Sequence, residues 1–299
     1  MFLGSPAFAV PSLAALCAAG HDVALVVTQP DRPAGRGRLM ASPAVATYAR
    51  EHGLPLWQTA SLRGPEAAER LGGVRADAMA LAAFAALVPK NILELTPGGI
   101  LNVHPSLLPR WRGAAPIQAA LLAGDQETGV SIIRLVSALD AGPILLQERT
   151  PIAPSDDFLS LEPRLAQLGA SLLVRSLAER PEPRPQDDAL ATYCKRIERD
   201  DARIDWTQPA EAIWRQVRAY RGWPQAFTHF DGRLLKVLRA WPVSGGGAPG
   251  MVSLEDGTLV VATGQAALRL DEVQLEGKRA MSGAELARGY PRLTTAKLA

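Results

Sequence analysis

Apolar runs alternate with helical patterns along the first 183 residues of the chain. The predicted strands, rich in Val, Leu, Ile and Ala, are residues 22–27, 77–83, 99–103 and 130–136. The predicted helices, recognised by their apolar periodicity, are residues 11–19, 43–51, 65–71, 114–123 and 159–178. Strands that alternate with helices are typical of a doubly wound, mostly parallel sheet.

The pattern changes after residues 179–185, a charged and proline-rich segment that cannot continue a helix. One amphipathic helix is predicted at 209–218. Its apolar stripe consists of Ala210, Ile213, Trp214 and Val217. Short strands separated by glycine turns follow this helix, which is typical of a small β-barrel. These strands are 226–230, 234–240, 258–262 and 267–273.

The length and composition of the chain allow two domains. A chain of 299 residues with 47% hydrophobic residues can bury two separate cores. We predict an α/β domain at 1–183, a linker at 184–202 and a second domain at 203–299. The formal net charge is +2, and residues 190–299 contain 16 lysines and arginines against 12 acidic residues. This small excess does not identify a basic binding surface by itself.

The few cysteines and histidines limit the kinds of site to be expected. Cys17 and Cys194 are the only cysteines, so no disulfide framework is expected. The four histidines show no metal-ligand spacing, so we expect no metal. No apolar run reaches the roughly 18 residues that are needed to cross a bilayer. A signal peptide begins with basic residues, whereas the first basic residue of this chain is Arg32. We therefore expect a cytoplasmic protein without a membrane segment. We also expect a monomer, although no sequence feature specifies the oligomeric state.

Two polar clusters that follow apolar strands supply candidate catalytic groups. Asn102 and His104 stand two residues apart at the end of strand 99–103, so both side chains leave the same face. Asp140 lies in a turn after strand 130–136. Both strands are predicted to be parallel, so their carboxyl ends deliver these side chains to one edge of the sheet, where ligands bind. An amide, an imidazole and a carboxylate can together stabilise an oxyanion and move a proton.

Each of these residues also has a purely structural interpretation. A single histidine is more often a hydrogen-bonded core residue than a catalyst, and an aspartate before Ala-Gly-Pro can simply close its own turn. The combination of His104 with Asn102, Asp140 and the rigid Pro-Ser-Leu-Leu-Pro segment favours catalysis.

Four segments resemble the methionyl-tRNA formyltransferase family, and together they extend over nearly the whole chain. They are residues 4–11 (GSPAFAVP), 28–38 (TQPDRPAGRGR), 102–118 (NVHPSLLPRWRGAAPIQ) and 201–206 (DARIDW). The third segment with its downstream aspartate is shared by several formyl-transferring folate enzymes. The arginine-rich second segment and the carboxy-terminal half indicate the tRNA enzyme. The resemblance implies a Rossmann-like formyltransferase domain followed by an OB-like barrel.

The same resemblance implies an activity and roles for the catalytic candidates. The protein would transfer a formyl group from 10-formyltetrahydrofolate to the α-amino group of methionyl initiator tRNA, without a metal, for translation initiation. Asn102 and His104 would hydrogen-bond the oxyanion, whereas Asp140 would set the protonation of His104 and help to relay the amine proton. Because a carboxylate favours the imidazolium form, we expect the pKa of His104 to be raised.

Binding residues are implied by the resemblance as well. The residues implied to contact folate are Ser106, Leu107, Leu108, Pro109, Phe84, Ala86 and Leu87. The residues implied to contact tRNA are Arg32, Arg36, Arg38, Lys195 and Arg196. Arginine suits this task because its planar fork bonds phosphates and base edges bidentately.

Three other interpretations stay open at this point. A folate enzyme acting on a glycinamide nucleotide, an amino sugar nucleotide or water would share the catalytic residues but would need no basic barrel. An idle RNA-binding protein would be free to lose Asn102, His104 or Asp140. A dinucleotide-dependent oxidoreductase is disfavoured because no GxGxxG motif follows the first strand.

Overall fold

Residue contacts divide the chain into two units. The computed structural model describes residues 1–34, 39–84 and 86–299. Unit 1 comprises Met1–Pro116, Glu127–Pro151 and Glu162–Cys194. Unit 2 comprises Ile117–Gln126, Ile152–Leu161 and Lys195–Ala299.

Among its described residues, unit 1 contains eleven strands and four complete α-helices. The strands are β1 (Phe2–Gly4), β2 (Val26–Thr28), β3 (Arg32–Ala34), β4 (Leu39–Ala41), β5 (Leu56–Gln58), β6 (Met79–Ala82), β7 (Ile100–His104), β8 (Arg112–Gly113), β9 (Glu127–Arg134), β10 (Ile144–Pro151) and β11 (Tyr193–Cys194). The helices are α1 (Val10–Ala18), α2 (Ala44–Glu51), α3 (Pro65–Gly72) and α4 (Lys90–Leu93). Helices α5 (Pro116–Ala123) and α6 (Phe158–Glu179) contain residues of both units.

Seven strands of unit 1 form one sheet in the order β10-β9-β7-β6-β1-β2-β5. The ladders from β7 to β5 are parallel, which confirms the predicted doubly wound α/β fold class. Within this sheet Leu3 pairs with Val27 and Leu81, and all three side chains pack in one apolar cluster. Because neighbouring strand residues point to opposite faces, the buried Phe2 lies on the other side. Both faces of these central strands are therefore covered.

One predicted strand direction is wrong. Residues 130–136 were expected to form a parallel strand, but β9 runs antiparallel to β7, with Arg134 opposite Leu101 and Ser131 opposite His104. The apolar run predicts burial on both faces and carries no information about direction, which depends on how the chain connects the strands. The carboxyl end of β9 therefore lies beside the amino end of β7.

Unit 2 is built on an antiparallel sheet. Its strands are β12 (Phe227–Phe230), β13 (Arg233–Val243), β14 (Val252–Glu255), β15 (Thr258–Ala262), β16 (Ala267–Leu275) and β17 (Met281–Ser282). Its complete helices are α7 (Ala210–Ala219) and α8 (Gly283–Gly289). The strand order is β12-β13-β16-β15-β14, and β17 pairs with β16.

The sheet of unit 2 is curled, which confirms the predicted barrel-like second domain. Two register shifts in the β13–β16 ladder increase its local twist. The last residues of the chain bridge the two edge strands, since Lys297 pairs with Met251 beside β14 and Ala299 exchanges hydrogen bonds with His229 of β12. Helix α7 covers the core with the predicted apolar stripe, in which Ile213 and Val217 are each 2% exposed.

In residues 1–34, 39–84 and 86–299, no helix has both the length and the apolar character that crossing a membrane requires.

Candidate active site

Strand β7 carries two of the three predicted catalytic residues. Asn102 is 6% exposed and His104 is 4% exposed, so both polar side chains leave the strand into a nearly closed environment. Their i, i+2 spacing places them on the same face of the sheet, as the sequence predicts. Burial of two neighbouring polar groups costs free energy unless each has a hydrogen-bond partner, so the neighbours of both side chains matter for the site.

His104 contacts groups from two different loops. Its Nε2–H donates a hydrogen bond of 2.9 Å to the carbonyl oxygen of Trp111. Its Nδ1 atom lies 3.7 Å from Oδ2 of Asp140, which is an ion-pair distance but too long for a hydrogen bond. Asp140 belongs to the loop between β9 and β10, and this loop has to return along the sheet because β9 ends beside the opposite end of β7. The structure thus brings Asn102, His104 and Asp140 together by a different route from the one predicted.

The predicted direction of the His104 pKa shift is wrong. Burial lowers the pKa of His104 below its ordinary value, and this effect outweighs the Asp140 carboxylate and the Trp111 carbonyl group, which both raise it. The neutral imidazole therefore predominates near pH 7. A neutral imidazole that donates from Nε2 has an unprotonated Nδ1, which is the atom that faces Asp140.

A short backbone segment contacts both members of this pair. The Trp111 carbonyl group accepts from His104, and two residues later the Gly113 N–H donates to Oδ2 of Asp140 over 2.9 Å. Trp111 has a φ of +63°, and Gly113 has a φ of +121°. A Cβ atom on Gly113 would lie 2.1 Å from the carbonyl oxygen of Cys194, so only glycine fits there. The close approach arises because β8 pairs with β11.

Arg112 and Gln186 join this segment to the Asp140 loop, although the sequence pattern assigns a role to neither residue. Arg112 is 2% exposed, and its Nε and Nη2 groups donate to Oε1 of Gln186 over 3.0 and 2.8 Å. Nη2 also donates to Asp188 over 2.6 Å. The only sequence signal was the position of Arg112 inside the segment 102–118, whereas Gln186 falls in the predicted linker.

The predicted folate-contacting stretch after β7 is only partly accessible. Ser106 is fully buried, and its hydroxyl group donates to the carbonyl oxygen of Arg110 over 2.6 Å. The amide of Leu108 donates to Ser131, and its carbonyl oxygen accepts from Gln147. Leu107 and Pro109 are half-buried and present the remaining accessible surface of the stretch.

The three other predicted folate contacts follow β6 and differ in exposure. Phe84 is 1% exposed and belongs to the apolar core of unit 1. Ala86 is half-buried against the same core, whereas Leu87 is 69% exposed. An exposed apolar side chain such as that of Leu87 is available to contact a flat ligand.

The predicted tRNA contacts fall in both units. Arg32 is exposed in β3 and donates to the side chain of Gln29 over 3.0 Å, whereas Arg36 and Arg38 lie outside the described residues. Lys195 is exposed and forms an ion pair of 2.7 Å with Asp201. This contact raises the pKa of Lys195 and lowers the pKa of Asp201. Arg196 is exposed, and none of the residues described forms an ion pair with it.

Within the described ranges, no group of three or more histidine, cysteine, aspartate or glutamate side chains is arranged to hold a metal ion.

Comparisons with known proteins identify the family. Residues 1–177 match the formyl transferase family and residues 196–291 match the family described as formyl transferase, C-terminal domain. A methionyl-tRNA formyltransferase from Methylococcus capsulatus is 45% identical over 296 residues, which are 97% of this chain and 96% of that protein. The enzyme of the same name from Methylobacillus flagellatus is 42% identical with the same coverage. The chain belongs to the methionyl-tRNA formyltransferase family. The family resemblance inferred from sequence is thereby confirmed, and with it the assignment as a formyl transferase.

Solved structures show the same fold at low sequence identity. An N-formyltransferase from Helicobacter canadensis superposes with a TM-score of 0.68 at 17% identity, covering 90% of this chain and 97% of that one. A methionyl-tRNA formyltransferase from Clostridium thermocellum superposes with a TM-score of 0.52 at 17% identity, covering 77% and 91%. At this identity the comparison concerns the fold alone.

Proposed function

We propose that the protein transfers a formyl group from 10-formyltetrahydrofolate to the α-amino group of methionyl initiator tRNA, which prepares that tRNA for translation initiation. The observation that carries the proposal is the buried His104–Asp140 pair beside Asn102, in a member of this family. Residues 1–183 carry out the chemistry, and residues 203–299 form a tRNA-binding domain. Residues 184–202, which include the tRNA contacts Lys195 and Arg196, lie between them. The enzyme acts in the cytoplasm, where translation occurs, as a monomer.

The reaction begins when the amine nitrogen attacks the formyl carbon and the carbonyl electrons move to oxygen. His104 Nδ1 is unprotonated in the neutral enzyme and takes the proton that the amine loses. The imidazolium Nδ1–H and the Asn102 amide N–H then hydrogen-bond the oxyanion. Removal of one such donor typically costs about 2.7–4 kcal/mol in acyl transfer. As the intermediate collapses, the carbon–nitrogen bond to tetrahydrofolate breaks and its nitrogen takes the proton from His104.

Asp140 favours the charged form of His104 at the moment that the reaction needs it. A carboxylate 3.7 Å from Nδ1 stabilises an imidazolium, and the effect is strong because water is largely excluded from His104. The N–H of Gly113 stabilises the negative charge on Asp140. Burial keeps His104 neutral before the reaction, and Asp140 lowers the cost of protonation during it.

Two sets of residues complete the proposal. The pterin lies against the accessible surface of Leu107, Pro109, Ala86 and Leu87, and the buried Ser106, Leu108 and Phe84 hold that surface in shape. The tRNA contacts Arg32, Arg36 and Arg38 in the arginine-rich segment and Lys195 and Arg196 further along the chain. Phosphate contacts of this kind do not depend on sequence and weaken with salt.

A direct assay tests the proposal. Purified protein is incubated with 10-formyltetrahydrofolate and one acceptor: charged initiator tRNA, charged elongator tRNA, free methionine or an amino sugar nucleotide. We expect formylation of charged initiator tRNA far above the other three acceptors. Equal or faster formylation of the amino sugar nucleotide would contradict the proposal and favour a small-molecule formyltransferase. Hydrolysis of the donor without an acceptor would favour a hydrolase.

A further inference from the structure

We infer that Arg112 and Gln186 form a clamp that positions His104 and Asp140, and its role in catalysis rests on the proposed formyl transfer. The two residues lie 74 positions apart in the chain, and Gln186 lies outside both family matches, residues 1–177 and 196–291. The clamp is the pair of side chains Arg112 and Gln186. It joins the backbone segment that contacts both catalytic residues to the loop that carries Asp140.

The segment from Trp111 to Gly113 determines the position of the pair. The carbonyl group of Trp111 fixes the His104 ring through Nε2, and the N–H of Gly113 fixes Oδ2 of Asp140. A movement of this segment would therefore change both contacts at once. Trp111 has a φ of +63°, a conformation that a residue with a side chain keeps only where neighbouring contacts enforce it.

The side chain of Arg112 leaves this segment between its two contact residues. It adds a side-chain anchor to the backbone hydrogen bonds that already hold the segment against β11. Its planar fork presents Nε and Nη2 together to Oε1 of Gln186. A buried guanidinium needs such partners, and Asp188 supplies the negative charge at 2.6 Å. Lysine would place one ammonium group there and could not reproduce the paired hydrogen bonds.

Gln186 extends the clamp to the loop of Asp140. Its Nε2 donates to the carbonyl oxygen of Asp140 over 2.8 Å and to that of Gly142 over 2.7 Å. The amide group of one side chain thus accepts from Arg112 and donates to the Asp140 loop. Glutamate has almost the same shape but has no donor, so it would lose both loop contacts. The loop needs this support because Asp140 has a φ of +47°.

The remaining titratable groups near the clamp do not replace it. Asp188 contacts Arg112 but not Gln186, and the side chain of Asp188 is 81% exposed. The hydroxyl group of Tyr193 lies 3.5 Å from Arg112. The pKa of the Cys194 thiol is raised, chiefly by burial, so this residue is uncharged near pH 7. Only Gln186 reaches both the arginine and the loop among the residues described.

The first test measures kinetics of the full-length enzyme with Gln186→Glu, Gln186→Ala and Arg112→Lys. Since displacement by about 1 Å can cost about 100-fold in rate, we expect kcat to fall about 10- to 100-fold. The KM for the formyl donor should change little. The matched control is Gln216→Ala, because Gln216 also donates to two backbone carbonyl groups, those of Asp201 and Arg203. The double variant Arg112→Lys/Gln186→Ala should have a kcat no lower than that of the more impaired of the two single variants, because both changes break the same clamp.

The second test observes the imidazole of His104 directly and does not depend on activity. The chain contains four histidines, so nitrogen NMR signals of His104 are identified by their loss in His104→Asn. We expect the Nε2–H tautomer of His104 in the wild type and in Gln216→Ala. In Gln186→Glu and Gln186→Ala we expect a mixture of the two tautomers. If folded Gln186→Glu and Gln186→Ala keep the wild-type kcat or the wild-type tautomer of His104, the proposed positioning role of the clamp is wrong. Absence of formylation by the wild type would contradict the proposed function, whereas the tautomer measurement would still decide the clamp.

Discussion

His104 is subject to two opposing influences that act on the same proton. Burial lowers its pKa, whereas the Asp140 carboxylate and the Trp111 carbonyl group raise it. Asp140 lies 3.7 Å away, close enough to stabilise a positive charge as it forms. A neutral base that becomes a stabilised cation is suited to a reaction in which a proton is taken and returned.

Replacement of the three central residues tests this arrangement. We expect Asn102→Ala, His104→Ala and Asp140→Asn each to lower kcat about 100- to 1,000-fold, because their groups act on the transition state. Folate affinity, measured by equilibrium titration, should change far less. The decrease in kcat of the triple variant should be smaller than the three single decreases combined, since the residues act as one unit. Near-wild-type turnover of His104→Ala would contradict their proposed roles.

The lowered pKa of His104 also predicts how stability depends on pH. Above the ordinary histidine value of 6.5, His104 is neutral in both the folded and the unfolded chain and contributes no pH dependence. Below 6.5 the unfolded chain binds a proton that the folded protein excludes, so stability falls as the pH falls. At about pH 5.5 the loss from this residue is at most about 1.4 kcal/mol.

Urea unfolding at pH 7.5 and about pH 5.5 measures this contribution. The decrease in unfolding free energy should be larger in the wild type than in His104→Gln, which cannot titrate. The comparison cancels the contributions of other groups. An equal decrease in both proteins would show that His104 titrates normally in the folded state.

At the scale of elements, the parallel pair β8–β11 requires a glycine. A strained φ by itself costs about 1–3 kcal/mol of folding free energy. We expect Gly113→Ala to lose more than this, because its Cβ would also overlap the carbonyl oxygen of Cys194. Its kcat should fall as well, because the Gly113 N–H contacts Asp140. Gly257→Ala is the control, since Gly257 has a φ of +75° and no atom within 4 Å of its added Cβ.

Thermal unfolding and kinetics of the two glycine variants are compared. Gly257→Ala should lower Tm modestly through backbone strain alone and leave kcat unchanged. If Gly113→Ala behaved like Gly257→Ala in both measurements, the close approach of β8 and β11 would have no consequence for the active site.

At the scale of the whole molecule, neighbouring cations differ in their availability for phosphates. Lys195 already pairs with Asp201 at 2.7 Å and must leave this carboxylate before it can bind a phosphate. Arg196 has no ion pair with any residue that the structure describes. We therefore expect Arg196→Ala to weaken tRNA binding more than Lys195→Ala, and similarly for all tRNA sequences.

Binding titrations at several salt concentrations measure this difference. The slope of log affinity against log salt should become shallower by about 1 in Arg196→Ala. Arg63→Ala, which removes an exposed arginine without an assigned role, is the control. Equal affinities and slopes for Arg196→Ala and the control would remove Arg196 from the proposed tRNA surface.

The sequence by itself determined the fold class and the family, and it supplied the candidate catalytic side chains. Alternating apolar segments fix burial, and local spacing places Asn102 and His104 on one face of β7. The stripe of α7 was predicted correctly for the same reason. These properties depend on residues close together in the chain, so a local pattern contains them.

The tertiary structure alone decided the direction of β9, the sign of the His104 pKa shift and the contacts of Gln186. Strand direction depends on chain connection, since an apolar run is the same in either direction. A pKa depends on the balance of burial and charge, and burial is known only after packing. Gln186 contacts Arg112 across 74 positions, and a hydrogen bond of that separation leaves no periodic signal in the sequence.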